Sequence, residues 1–308
     1  MGVANEIWES FIKANPQVKS GKLSMDEINT LMAKHMKQIN ASPLDDFDGI
    51  SPEQMHILLH DPFGTASPLE WIAPQHEEQA ASVPLLVLSD LLIAEIQKSG
   101  ELKLTQKGNL PIAVCTRFVE RNLISSPHLK YIKKLNEDNL TFIWVIKDHL
   151  LVTGLAKKRN NKLSLTKNGK LYTEMPNSER LHSLFSFMTN RFNWQNLYGL
   201  EDDGQNGQLG WAFSLFLFLK HGNQPRNALF YAEKWMKALQ TGWWKERNNP
   251  AYDRDIQLIE HAYMIRFFES FAQWFGLAHV EEKRKPKNYT TVLEVTRTEL
   301  LEKLIRLK

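Results

Sequence analysis

Gly100-Glu-Leu-Lys-Leu-Thr-Gln-Lys-Gly-Asn-Leu110 returns as Asn161-Lys-Leu-Ser-Leu-Thr-Lys-Asn-Gly-Lys-Leu171, so that Leu104, Thr105 and Gly108 are matched 61 positions later by Leu165, Thr166 and Gly169. A third, weaker copy runs through Val292-Leu-Glu-Val-Thr-Arg-Thr-Glu-Leu300, where Thr296 stands for Thr166 and Glu299 for the glycine. Gly154-Leu-Ala precedes the second copy and Gly276-Leu-Ala the third. The common unit therefore reads helix, Gly-Leu-Ala, charged hairpin, strand ending in Thr, helix. That order predicts winged helix-turn-helix units, in which a β-hairpin wing projects beside paired helices.

Around these repeats the pattern is mainly α. Residues 1–63 read as a helical region. Ile7, Phe11 and Ile12 share one helix face, Ser24 caps a second helix with an apolar stripe from Ile28 to Ile39, and Ser51-Pro52-Glu53-Gln54 is a capping box with proline at the first helical position. Residues 64–84, with Gly, Pro, Ser and Gln, read as a linker or a segment wrapped on the surface. Residues 85–175 hold about one and a half winged-helix units, the wing being Lys157-Lys-Arg-Asn-Asn-Lys162 with a polar Asn-Asn turn. Residues 176–265 read as an aromatic-rich helical domain in which Trp211, Phe216 and Trp235 are core. Residues 266–308 form a C-terminal winged-helix-like unit around the basic wing Lys283-Arg-Lys-Pro-Lys287.

Composition narrows the function classes. A chain of 308 residues, 43% apolar with nine Trp and sixteen Phe, has the apolar surface for two or three ordered domains. The single cysteine, Cys115, allows no intrachain disulfide and no multi-cysteine zinc site, which points to the cytoplasm. The N-terminus lacks the order of a signal peptide, and the most apolar run, Leu209 to Leu219, is well short of the roughly 20 residues that cross a bilayer. No membrane partner and no cofactor are expected. A net charge of +3 does not by itself imply nucleic acid, so local clusters must carry that argument.

Leu104-Thr-Gln-Lys-Gly-Asn-Leu-Pro111 and Leu163-Ser-Leu-Thr-Lys-Asn-Gly169, together with Leu44-Asp-Asp-Phe-Asp-Gly-Ile-Ser-Pro-Glu-Gln-Met-His56, resemble a group of uncharacterised bacterial proteins of plasmid and mobile-element type. Some members of that group carry a C-terminal SecA-like zinc motif rich in cysteine, and this chain departs from them there. The resemblance implies a bacterial origin and transfers no catalytic residue.

The wings are the leading candidate site. Lys157, Lys158, Arg159 and Lys162 in one, and Lys283, Arg284, Lys285 and Lys287 in the other, are cation clusters on hairpins of the kind that contact phosphates. Glu281 and Glu282 dilute the second cluster, and the helix Leu140-Thr-Phe-Ile-Trp-Val-Ile-Lys-Asp-His149 offers few side chains that could read base edges. His56 and His60, four apart, are the weak alternative for a metal, without an evident third ligand. Asp45, Asp46 and Asp48 hint at a calcium loop, but Leu44 and Met55 stand where its first and closing ligands belong. Arg254 and His261, like Arg121 and His128, have a spacing similar to that of ribonuclease toxins, which in a chain with ten histidines also arises by chance. No phosphate loop, nucleophile elbow or His-Glu-x-x-His is present. The expected function is binding rather than catalysis: DNA through the wings first, a protein–protein scaffold second, a ribonuclease third. The oligomeric state is left open. Wings that project on one face favour DNA, and wings tucked against their neighbours favour the scaffold.

Overall fold

The computed structural model describes residues 3–125, 132, 134–198, 205–284 and 291–308. The described chain is mainly helical with three small antiparallel sheets. Helices Val3–Ala14 and Met25–Ala41 open it as a hairpin, and helix Pro52–His60 ties them to the core through Met55 and Leu58. Both predicted caps form in full. Ser24 and Glu27 exchange hydrogen bonds at the start of one helix, and Ser51 and Gln54 do so at the start of the next, which satisfies amides that would otherwise lack acceptors.

Strand β1 (Leu69–Trp71) lies in the stretch with linker-like composition, yet Leu69, Ala73, Ala80 and Val83 there are fully buried. Six strands follow in two groups. The first sheet joins β2 (Leu102–Lys103), β3 (Ala156–Arg159) and β4 (Lys162–Leu165) in the order β2-β4-β3. The second joins β5 (Arg226–Asn227), β6 (Ala278–Arg284) and β7 (Thr291–Arg297) in the order β5-β7-β6. The last strand, β8 (Ile305–Leu307), returns to pair with β1.

Each three-stranded sheet belongs to the same run of elements. In the first run helix Pro84–Ser99 leads into β2, helices Ile112–Glu120 and Thr141–Val152 into the hairpin β3-β4, and helix Lys167–Tyr172 closes it. In the second, helix Trp211–His221 leads into β5, helices Leu229–Leu239 and Asp253–Tyr263 into the hairpin β6-β7, and helix Glu299–Leu304 closes it. Here helix Thr241–Lys245 is inserted, and the helix from Asp253 runs on through a π-helical stretch, Met264–Ala272.

The corner before each hairpin is built alike. Gly154 and Gly276 adopt positive φ of 72° and 69°, which only glycine enters freely. Thr166 and Thr298 then donate their hydroxyls to the carbonyls of Gly154 and Gly276 at 2.7 Å each, and cap the helices that follow. The third repeat copy is thus read two residues out of register: Thr298, not Thr296, is the counterpart of Thr166, and Leu301 rather than Glu299 replaces Gly169. Thr296 lies inside β7 opposite His279. The first copy differs too. It starts no unit of its own, because Leu102 and Lys103 pair with Leu163 and Lys162, so copies one and two meet in a single sheet.

A contiguous core extends from Ile50 to Ile305 and includes both runs. Trp211, Phe216 and Trp235 are buried as predicted, at 8%, 7% and 0% exposure. Phe185 is a centre of the packing, with the rings of Phe63, Trp71, Trp211, Phe271 and Phe275 within 6.0 Å. Gly169 marks a second tight place. A methyl there would run into the carbonyl oxygen of Leu155, which already accepts the amide of Thr166 at 2.9 Å. Gly169→Ala should therefore lower unfolding stability by about 2 kcal/mol, the usual range for overpacking, read as an earlier urea midpoint at unchanged slope.

Candidate nucleic-acid interface

The register of the first sheet decides where its cations point. Residues paired across antiparallel strands share a face, and the faces alternate along each strand. Lys162 of β4 is flanked by Lys103 on one side and Arg159 on the other. Lys157, two residues before Arg159, opposes Ser164 on that same face. Lys103, Lys157, Arg159 and Lys162 are all exposed. The reverse face carries Leu102 and Leu163 into the core, and Lys158, paired with Leu163, turns that way so that its ammonium lies over Gly108. Of the first cluster the structure therefore brings Lys157, Arg159 and Lys162 together, adds Lys103, and removes Lys158. Lys103 was legible only through the pairing of the two repeat copies.

This arrangement is unfavourable for the free protein, since like charges directly opposite on neighbouring strands destabilise a sheet. One acid relieves it. Glu101 pairs with Lys162 at 2.7 Å, and its carboxyl is held below the ordinary range by the Lys162 hydrogen bond and then by the charges of Lys162 and Lys157. Both partners are half exposed, so the pair contributes little stability. Lys103, Lys157 and Arg159 have no ion-pair partner among the described residues.

The second hairpin differs. Lys283 contacts Glu294 at 2.6 Å and Glu281 at 3.6 Å, and its ammonium is held above the ordinary value, first by the hydrogen bond it donates to Glu294. Its base carries three carboxylates, Glu281, Glu282 and Glu294. The side chain of Arg284 and all of Lys285 and Lys287 lie outside the described residues.

Helix Thr141–Val152 is turned inward. Phe142, Ile143, Val145, Ile146, Lys147, His149 and Leu150 are buried. Burial takes the His149 imidazole down to about 3, with Arg191 adding to the effect, so the ring is neutral; its Nε2 lies 3.1 Å from Ser183 Oγ. Lys147 pairs with Glu137, which also accepts the amide of Leu110 at 2.6 Å. The open face of this helix keeps Thr141, Trp144 and Asp148, few side chains with which to read bases in a groove.

The other candidates are dispersed. The rings of His56 and His60 stack at 4.2 Å, and Nδ1 of His60 is taken up by the carbonyl of His56 at 2.9 Å; no group of three potential ligands is found among the described residues. Arg254 and His261 are exposed on helix Asp253–Tyr263 and neither lines the large cavity described below, while His128 lies outside the described residues. Two acids of the 44–49 loop are engaged within the fold. Asp48 accepts from His221 at 2.7 Å and contacts Lys220 at 3.0 Å and Lys234, and Asp46 pairs with Lys237 at 2.8 Å. No described helix is long and apolar enough to cross a membrane.

Residues 81–178 match the family described as Y4jL N-terminal domain, about a third of the chain. The matched stretch contains the first hairpin sheet and the segments 104–111 and 163–169 that resemble uncharacterised bacterial proteins. No curated protein and no solved structure matches the chain.

Proposed function

We propose that the chain is a non-catalytic binding protein built on two winged-helix units, and that it grips nucleic-acid phosphates, those of DNA first, with the outer face of the first sheet. The observation that carries this reading is the cross-strand row Lys103, Lys162 and Arg159 with Lys157 beside it. A row of like charges that weakens its own sheet gains from an anion laid across it, and a phosphodiester backbone supplies regularly spaced anions. The common element order and the shared strand order support the winged-helix assignment. The inward turn of helix Thr141–Val152 makes the contact one with backbone rather than with base edges, hence weakly dependent on sequence.

A scaffold for protein partners is the second reading, favoured by the same buried helix and by the acids at the base of the second hairpin. The resemblance and the single buried Cys115, whose thiol is pushed up to about 11 by burial and then by Glu137, support a cytoplasmic bacterial protein of plasmid type. The test is a salt titration of binding to random-sequence duplex DNA. Affinity should fall linearly in log–log form; absence of binding at low salt would leave the scaffold reading.

A further inference from the structure

The face of helix Thr141–Val152 that is not buried in the core closes over a cavity. A space of about 810 Å³ lies between this helix and the second hairpin, within the size range of small-molecule sites. Thr141, Trp144 and Asp148 stand three and four residues apart, so they share a helix face, and all three are half-buried in the cavity wall. Tyr198 and Trp274 add aromatic surface, and β6 contributes Glu282.

Asp148 is the informative residue. It has no hydrogen bond or ion pair among the described residues, and burial raises its carboxyl above the ordinary range even though the Lys147 charge opposes this. Lys147 is committed elsewhere, to Glu137 and to the carbonyl of Gly108 at 3.3 Å. The other lysines of the wall, Lys107 and Lys158, are next to Gly108 in sequence and in space respectively. A carboxylate withdrawn from water without a partner is costly, and a cation placed against it and against an aromatic ring recovers that cost. An anion would meet Asp148 and Glu282, and a neutral molecule would leave Asp148 unpaired.

We propose that this cavity binds a small organic cation, an ammonium or guanidinium compound, with Asp148 as its counter-ion and Trp144 packed against its apolar part. The site is independent of phosphate binding, for it lies toward the reverse face of the first sheet, the face to which Lys158 turns. Calorimetric titration with agmatine and putrescine, and with succinate and inorganic phosphate as anionic controls, tests it. At least one cation should bind with a dissociation constant below about 1 mM, and neither anion should displace it. Asp148→Asn should weaken cation binding at least about tenfold while leaving the melting temperature unchanged or raised, because ionised Asp148 is a liability in the empty fold. In the wild-type protein, saturating agmatine should lower the pH at which the Asp148 carboxyl titrates by NMR, a readout that does not depend on a variant folding. Failure of both cations, displacement of the bound cation by an anion, undiminished affinity in Asp148→Asn, or an unmoved Asp148 titration would each overturn the proposal.

Discussion

Asp48→Asn should lower unfolding stability by about 2–3 kcal/mol, and Asp48→Ala by about 1 kcal/mol more. The carboxylate is 8% exposed and faces Lys220, His221 and Lys234, so its removal leaves cations gathered without their counter-charge. Those cations are 40%, 24% and 30% exposed, and water screens part of the resulting repulsion, which keeps the loss at the lower end for a broken buried pair. Asparagine isolates the charge. Asp48 sits at a positive φ of 55°, a conformation that asparagine tolerates and alanine does not, so the difference between the two variants reads the backbone term.

The pH dependence carries the same signature. Burial would raise the Asp48 carboxyl, but the hydrogen bonds from Lys234, His221 and Lys220 outweigh it and hold the group well below the usual carboxylate range. A depressed folded value means stability that is present above the unfolded value, near 4, and is lost as pH falls through the folded one. Urea midpoints of wild type and Asp48→Asn should therefore differ fully above about pH 5 and converge in acid. A difference that stays constant down to about pH 2 would show that shape rather than charge holds the loop.

Replacing Lys103, Lys157, Arg159 and Lys162 together with alanine should remove up to four phosphate contacts. At about 0.9 counterions released per contact, the log–log salt slope should flatten by up to about 3.6, with a loss of affinity for random duplex on the order of 10²- to 10³-fold at 0.1 M salt. Lys103→Ala alone should cost about one contact. Lys158→Ala is the geometric control: it removes equal charge from the same sheet, but on the reverse face, and should leave the slope nearly unchanged. All five side chains are exposed, so stability should move by less than about 0.5 kcal/mol per site, and relief of the like-charge row works in the stabilising direction. A Lys158→Ala slope that falls as far as that of Lys103→Ala would mean that bulk hairpin charge, not the ordered face, makes the contact.

Local pattern was enough for whatever depends on neighbours in sequence. Ser24 with Glu27 and Ser51 with Gln54 define helix starts because a capping box is complete within four residues. Gly154 and Gly276 announce the corners before the hairpins because few other residues enter their backbone conformation, and Asn160 and Asn161 turn the first hairpin at positive φ for a related reason. The aromatic density around Trp211 and Trp235 was legible as core because no solvated surface accommodates so much apolar area.

Tertiary structure decided what depends on register and on distant partners. A strand's side-chain period is two, so which lysines share a face follows from the pairing of β2 with β4, across about 60 residues of chain that no local pattern aligns. That pairing admitted Lys103 and turned Lys158 away. A shift of two residues kept the face of β7 and hid the true counterpart of Thr166, which emerged only from the hydrogen bond of Thr298 to Gly276. The stretch 64–84 reads as a linker or a wrapped segment because its composition is polar and turn-rich, and only the folded chain shows β1 within it held by β8 from more than 200 residues away. Asp48 looked like part of an ion loop because acids repeat there, but its partners Lys220, His221 and Lys234 lie more than 170 residues away, and only the folded chain brings them to it.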